Sequence, residues 1–275
     1  MSDVPSRSVI DHNRRAWDAL VEKRQRFTRP APDGDFSDPF GVVNNAGWLG
    51  NSIAGKSLLC LAAGGGKHGP LYAAAGAKVT VVDLSPAMLA LDREVAKQRG
   101  IDLEIVEASM DDLSMFAAAL FAIVIHPVST CYVSDVLGVY RQIARVTAPG
   151  GLYLSQHKSP ISLQADIKPS VGGYELTEPY YRSGPLPPVV GSQHREPGTL
   201  EFLHRWEDLL GGMCRAGFVI EDLVEPLHAE KNAPLGSFAQ RSQYVTPYVR
   251  IKARRNGESA APVAAASRLW TPDGS

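Results

Sequence analysis

The chain has 275 residues, a formal net charge of -1 and 44% hydrophobic content, values that suit a compact folded domain with an ample core. Near-neutral charge argues against a nonspecific nucleic-acid surface, which needs clustered Lys and Arg, and leaves open a local basic patch that reads one RNA. No apolar run reaches the ~20 residues that span a bilayer, and no stretch has the basic start and apolar core of a secretion signal. The expectation is a cytoplasmic protein with no membrane partner.

In chain order, 7–27 carries Val9, Ile10, Ala16, Trp17, Leu20 and Val21 at helical spacing, with Arg and Lys opposite. Residues 28–47, with Pro30, Pro32, Gly34, Pro39 and Gly41, read as a linker or lid. An apolar run at 57–61 then leads into Ala62-Ala63-Gly64-Gly65-Gly66-Lys67-His68-Gly69, and a second run at 78–83 ends in Asp83. That order is strand, tight turn, helix, strand, carboxylate: the first half of a doubly wound nucleotide-binding sheet. Glycines let the backbone turn sharply and approach a ligand closely, and an acid at the tip of the second strand can accept both hydroxyls of a ribose. By spacing alone, Gly64, Gly66 and Gly69 with Asp83 match the dinucleotide fingerprint of nicotinamide-dependent enzymes.

Further strands are expected at 103–106 and 120–125, the latter ending at His126-Pro127-Val128-Ser129, and after Pro149-Gly150-Gly151. The segment 158–203 is rich in Pro and Gly and carries Tyr174, Tyr180, Tyr181, His194, Arg195 and Glu196. A stretch this long without periodicity reads as a functional lid or as disorder. Residues 205–216 read as a helix running into a strand, and 244–253 as a last strand in which Pro247 is out of place. The end of the chain, rich in Ala, Pro, Ser and Gly, has little to bury. The 3 cysteines, Cys60, Cys131 and Cys214, have no metal-ligand spacing and read as free thiols. Asp111 and Asp112 read as a solvated helix start, so no metal is expected.

These motifs resemble those of the class I S-adenosylmethionine-dependent methyltransferases. Cys60-Leu61-Ala62-Ala63-Gly64-Gly65-Gly66 is similar to the family's first motif, with Cys60 where an acid is common and Ala62 for the first glycine. Asp83-Leu84-Ser85-Pro86-Ala87-Met88 resembles the second, a ribose-binding acid followed by a Ser-Pro helix start. The stretch 107–113 resembles the third, with Ser109 in place of the usual Asp, and 145–154 resembles the Pro-Gly-Gly turn and fifth strand. The spelling is that of an uncharacterised bacterial branch.

The resemblance implies an α/β, doubly wound, Rossmann-like seven-stranded sheet, mostly parallel with the last strand antiparallel and helices on both faces. It further implies an N-terminal helix and linker or lid (1–47), a methyltransferase domain (48–254) with a substrate-shaping insert (158–203), and a flexible tail (255–275). The implied cofactor is S-adenosyl-L-methionine. Its expected contacts are Ala62, Ala63, Gly64, Gly66, His68, Asp83, Leu84, Met88, Ser109, Met110, His126 and Val128. Trp17 is expected either over the cofactor or packed on the body. His126, at the tip of the fourth strand, is the candidate general base, with His204 second; either ring could instead serve only structure. The expected acceptor is a small molecule. Alternatives are an RNA or protein acceptor, or a cofactor-binding module without transfer; oligomeric state is not legible.

Overall fold

The computed structural model describes residues 6–256. Seven strands form one sheet in the order β3-β2-β1-β4-β5-β7-β6. They are β1 (Ser57–Leu61), β2 (Lys78–Asp83), β3 (Glu104–Glu107), β4 (Phe121–His126), β5 (Thr147–Lys158), β6 (Phe218–Val224) and β7 (Tyr248–Arg255). All neighbours run parallel except β7, which is antiparallel to both β5 and β6. The strand order reverses between β1 and β4, and in such sheets ligands bind outside the carboxyl ends of the strands at that point.

Alternation along β1 divides the core between the two faces. Leu58 and Cys60 join Val79, Val81, Ile123, Ile125, Tyr72 and Leu89 on one face. That face is covered by α2 (Pro39–Val43), α3 (His68–Ala74) and α4 (Pro86–Arg99). Leu59 and Leu61 join Val82, Val124, Tyr153, Tyr140 and Ile143 on the other, beneath α5 (Val136–Val146). Burial on both faces explains why these strands read as continuous apolar runs.

Local chemistry fixes the boundaries. Ser85 caps α4 by accepting from Met88 N, with Pro86 in the first turn, and Gly100 closes the helix in the left-handed region. Pro149-Gly150-Gly151 lies inside β5 as an irregularity, because pairing with β4 jumps from Phe121↔Thr147 to Ile123↔Leu152. Pro247 falls just before β7, so the strand loses no N–H to it, and its carbonyl accepts from Ser159 N. One expectation is corrected. Asp112 starts no helix; its carboxylate accepts from Ser114 N in a turn. The segment 205–216 is helical as expected, a π-helical stretch over Glu207–Gly211 that continues as α-helix through Gly212–Arg215 and leads into β6. The tail from 257 onward lies outside the described residues.

The turn between β1 and α3 is bound to the body by two carboxylates. Gly64 N donates to Asp83 Oδ2 and Gly65 N to Asp92 Oδ2, each at 2.8 Å. Its backbone enters the left-handed region at Ala62 (φ 47°), Gly65 (φ 113°) and Gly66 (φ 73°). At Ala62, where the resembled motif has glycine, that conformation costs on the order of 1 kcal/mol. A Cβ on Gly66 would stand 3.0 Å from both Leu91 O and Val95 Cγ2 and 3.2 Å from Pro30 Cβ. The close approach of Gly66 is therefore to α4 and the 28–32 segment.

Asp92 is fully buried, and its Oδ1 has no partner among the described residues. Burial raises its pKa from 3.8 to about 7, against the opposing pull of the Gly66 and Gly65 N–H groups.

Gly66→Val should lower stability by about 1–3 kcal/mol through strain at positive φ, with further loss from the crowding, and denaturant unfolding will show it as a lower midpoint. For Asp92, the folded protein binds a proton between pH ~4 and ~7 that the unfolded chain has released, so its contribution makes stability fall as pH rises through that window. Asp92→Asn should remove that component. Wild-type and variant stabilities measured from pH 4 to 7 should converge at the acid end, and parallel curves would refute the assignment.

Candidate functional site

A cavity of about 430 Å³ opens over the carboxyl ends of the strands, within the ~300–1,000 Å³ range of small-molecule clefts. The β1–α3 turn, the tip of β2 and the loops after β3 and β4 form its floor. Its remaining walls come from α1 (Ser6–Glu22), the 26–29 segment, Gln156 of β5, Tyr248 of β7, His228 and Phe238.

Asp83 stands at the β2 tip with its carboxylate oriented by backbone: Oδ2 accepts from Gly64 N (2.8 Å) and Oδ1 from Ser85 N (2.9 Å). Burial raises its pKa, and those same N–H groups oppose the rise. The carboxylate borders the cavity, so it is positioned to accept further hydrogen bonds from a ligand diol. Leu84 just after β2, Met88 of α4, and Ser109 and Met110 after β3 form an adjoining wall that is largely apolar.

Helix α1 is fastened over this floor by specific polar contacts. Asp18 accepts from Ser85 Oγ (2.6 Å) and Ala87 N (3.3 Å), at the start of α4. Asn13 is fully buried; it donates to the carbonyls of Tyr132 and Leu200 and accepts from Leu200 N. Trp17 meets Tyr132 edge-to-face, ring centroids 5.6 Å apart, and both line the cavity.

Ala62, Ala63, Gly64, His68, Asp83, Leu84, Met88, Ser109, Met110 and Val128 all line this one cavity. Gly66 and His126 do not, which corrects both expectations. Gly66 faces α4, and its neighbours Gly65 and Lys67 line the cavity instead. His126 points into the sheet: Nδ1 pairs with the Tyr153 hydroxyl at 2.9 Å, Nε2 has no partner among the described residues, and burial lowers its pKa to about 3. A base must reach the proton it takes, and this ring does not border the cavity. His204 is likewise structural, its buried Nε2 shared between the carbonyls of Thr130 and Val133. Among the sequence-predicted histidines His68 reaches the cavity; burial, with Lys67 beside it, lowers its pKa to about 4.

From the 158–203 segment only Glu196 reaches the lining. Tyr174 turns to Gln240 (2.5 Å) and stacks on Tyr244, while Tyr180 packs on Tyr181 and accepts from Trp206 N. Glu196 belongs to a buried ionic cluster. Lys158 donates to Glu196 Oε2 (2.7 Å) and pairs with Glu201, which also pairs with Arg195. The Tyr132 hydroxyl donates to Glu196 Oε2 at 2.5 Å. Two cations and two anions cancel, which keeps the cost of burying them tolerable.

The sequence reading missed Arg26, Arg29, Tyr132, Gln156, His228, Phe238 and Tyr248 in the lining, and Asp92 and Lys158, which bond the lining residues Gly65 and Glu196. Each lies outside the recognised motifs, and folding alone brings them to the site.

Comparison with known proteins agrees with this geometry. Residues 59–155 match the model of a family described as "Methyltransferase domain". The uncharacterized methyltransferase YbaJ of Bacillus subtilis is 33% identical over 232 residues, which is 79% of this chain and 91% of that protein. An S-adenosylmethionine-dependent methyltransferase from Mesorhizobium loti shares the fold at TM-score 0.61 and 20% identity, covering 80% of this chain and all (100%) of its own. So does the geranyl diphosphate C-methyltransferase of Streptomyces coelicolor A3(2), solved with Mg2+, geranyl diphosphate and S-adenosyl-L-homocysteine. Its TM-score is 0.61 and its identity 18%, over 92% of this chain and 100% of that one. A glycine turn between β1 and α3, an acid at the tip of β2 and a full-length relative in common make this chain a member of the class I S-adenosylmethionine-dependent methyltransferase family.

Proposed function

We propose that the chain transfers a methyl group to a small-molecule acceptor held at the β5–β7 side of the cavity. The carrying observation is Asp83, a carboxylate fixed by two backbone N–H groups on the rim of a cavity that the glycine turn also lines. In this reading Asp83 accepts the ribose hydroxyls, and Leu84, Met88, Ser109 and Met110 enclose the adenine. Ala62, Ala63, Gly64, Gly65, Lys67, His68 and Arg29 surround the methionine end, where Lys67 and Arg29 supply positive charge for its carboxylate. Val128, Ser129 and Tyr132 then border the reacting centre.

S-adenosylmethionine brings a methyl group already activated by its sulfonium and a neutral thioether leaving group. What the chain contributes is alignment of the acceptor in line with that methyl and exclusion of water. The α1 roof, pinned by Asn13 and Asp18, serves both ends. An acceptor that must shed a proton also needs a base, and His68 and His228 are the histidines that border the cavity. A polymer acceptor suits the site less well, because α1 and the 26–29 segment cover the floor.

Titration calorimetry with S-adenosylhomocysteine and NAD in parallel tests the cofactor assignment on this chain. Binding of the first alone is expected. Asp83→Ala removes hydrogen bonds to a charged acceptor worth ~1.5–3 kcal/mol, and so should weaken that binding roughly ten- to a hundredfold. Unchanged affinity would mean that the ribose lies elsewhere.

A further inference from the structure

The acceptor side of the cavity has a chemistry of its own. Antiparallel pairing sets Gln156 opposite Arg250 and Lys158 opposite Tyr248. Directly opposed residues share a face, as do residues two apart on one strand, so all four side chains leave the same face of the sheet. Their charges are handled differently. Lys158 is neutralised by Glu196 and Glu201. Arg250 makes no ion pair among the described residues; its Nε donates to Gln156 Oε1 at 2.8 Å, and Gln156 lines the cavity.

Arg26 approaches the same place from the opposite wall. It lines the cavity with its guanidinium over the Phe27 ring (5.3 Å to the centroid), and it too lacks an ion pair among the described residues. Between these cations sits His228. It packs edge-on against Phe238 and Tyr248, with ring centroids 5.5 Å away in both cases. Burial, then the positive charges of Arg250 and Arg26, lower its pKa, which places both arginines within electrostatic reach of the ring. Burial and those two charges thus disfavour a further positive charge on the imidazole. The net result is an aromatic wall beside uncompensated positive charge. The carboxylates that line the cavity are engaged elsewhere: Asp83 at the glycine turn, and Glu196 with Lys158 and Tyr132.

We propose that this end of the cavity takes an apolar, flat acceptor carrying an anionic group, its body against Phe238, Tyr248 and His228 and its charge toward Arg26, with Arg250 and Gln156 behind. The inference rests on the cofactor occupying the Asp83 side, because Lys67 and Arg29, at the glycine turn, then serve the methionine carboxylate and leave Arg26 for the acceptor. Flat stacking surfaces accept many ring systems, whereas an unpaired guanidinium discriminates strongly between an acid and its neutral isostere. Charge therefore sets the class of acceptor here, and shape selects within it.

The test uses the full chain saturated with S-adenosylhomocysteine and three matched pairs of probes: benzoate and benzamide, 1-naphthoate and 1-naphthamide, indole-3-acetate and indole-3-acetamide. Dissociation constants come from ligand-observed NMR titration. Each acid should bind about tenfold or more tightly than its amide, the span expected when a hydrogen bond to a charged group is lost. Arg26→Ala should shrink that preference to about threefold or less, and Arg26→Glu should reverse it, as rim charges of opposite sign do. S-adenosylhomocysteine affinity, measured on the same variants, should stay within about twofold of wild type, since the proposal places no cofactor contact on Arg26. Equal binding of acids and amides, or no binding of either, would overturn the proposal. A loss of cofactor affinity in Arg26→Glu would also overturn it, by assigning Arg26 to the methionine carboxylate. Failure of wild type to bind S-adenosylhomocysteine would instead remove the cofactor reading beneath it.

Discussion

Everything at the site depends on how the backbone leaves β1. A turn that exposes N–H groups to a ligand must have its geometry enforced from behind, because left-handed residues do not hold themselves in place. Here the enforcement is electrostatic. Asp83 and Asp92 take the Gly64 and Gly65 N–H groups at 2.8 Å each, one from the tip of β2 and one from within α4. The turn thereby ties three elements together, and α4 cannot shift without disturbing the cofactor floor. Gly66, packed against Leu91, Val95 and Pro30, completes the attachment on the side away from the cavity.

The same carboxylate has two tasks, which explains why Asp83 is only partly accessible. Its inner lone pairs hold the turn and the start of α4, and its outer ones face the cavity. Helix α1 reinforces this arrangement through Asp18, which bonds the capping residue Ser85. Cofactor floor and roof are thus joined at one point, the Ser85 hydroxyl, which donates to Asp18 and accepts from Met88 N. A roof attached at the start of α4 through Asp18, and to the post-β4 turn through Asn13, leaves the β5–β7 side to be shaped by other segments.

The sheet and the end of the cavity lined by the glycine turn and Asp83 were legible in the sequence because their determinants are local. Strand, turn, helix and acid occur within 57–83, and the periodicity of buried strands is visible without knowing what they pack on. Errors of boundary had local causes too: Pro247 ends up outside β7, and Asp112 satisfies a turn instead of starting a helix. The other end was illegible for the converse reason. Arg26, Gln156, His228, Phe238 and Tyr248 come from widely separated segments and obey no spacing rule. The aromatic content of 158–203 misled, since Tyr174 turns to Gln240 and Tyr244, Tyr180 to Trp206, and Tyr181 to Tyr180 and Arg205, while the acid Glu196 reaches the cavity.

His126 shows why strand-tip position alone does not identify a base. The register His126↔Ser155 places it on the sheet beside β5, where the Tyr153 hydroxyl meets Nδ1. A ring buried without a countercharge stays neutral, and its lowered pKa is the measure of that isolation. Neutrality alone would suit a base; lack of access to the cavity disqualifies it. His228 has the complementary properties, a partly buried ring on the cavity wall whose pKa is lowered by burial first and then by the charges of Arg250 and Arg26. Those cations would also draw an anionic acceptor toward them, in the reading proposed above. Nothing in the glycine turn or at Asp83 encodes that cluster of residues, so the two ends of the cavity are specified by separate parts of the chain.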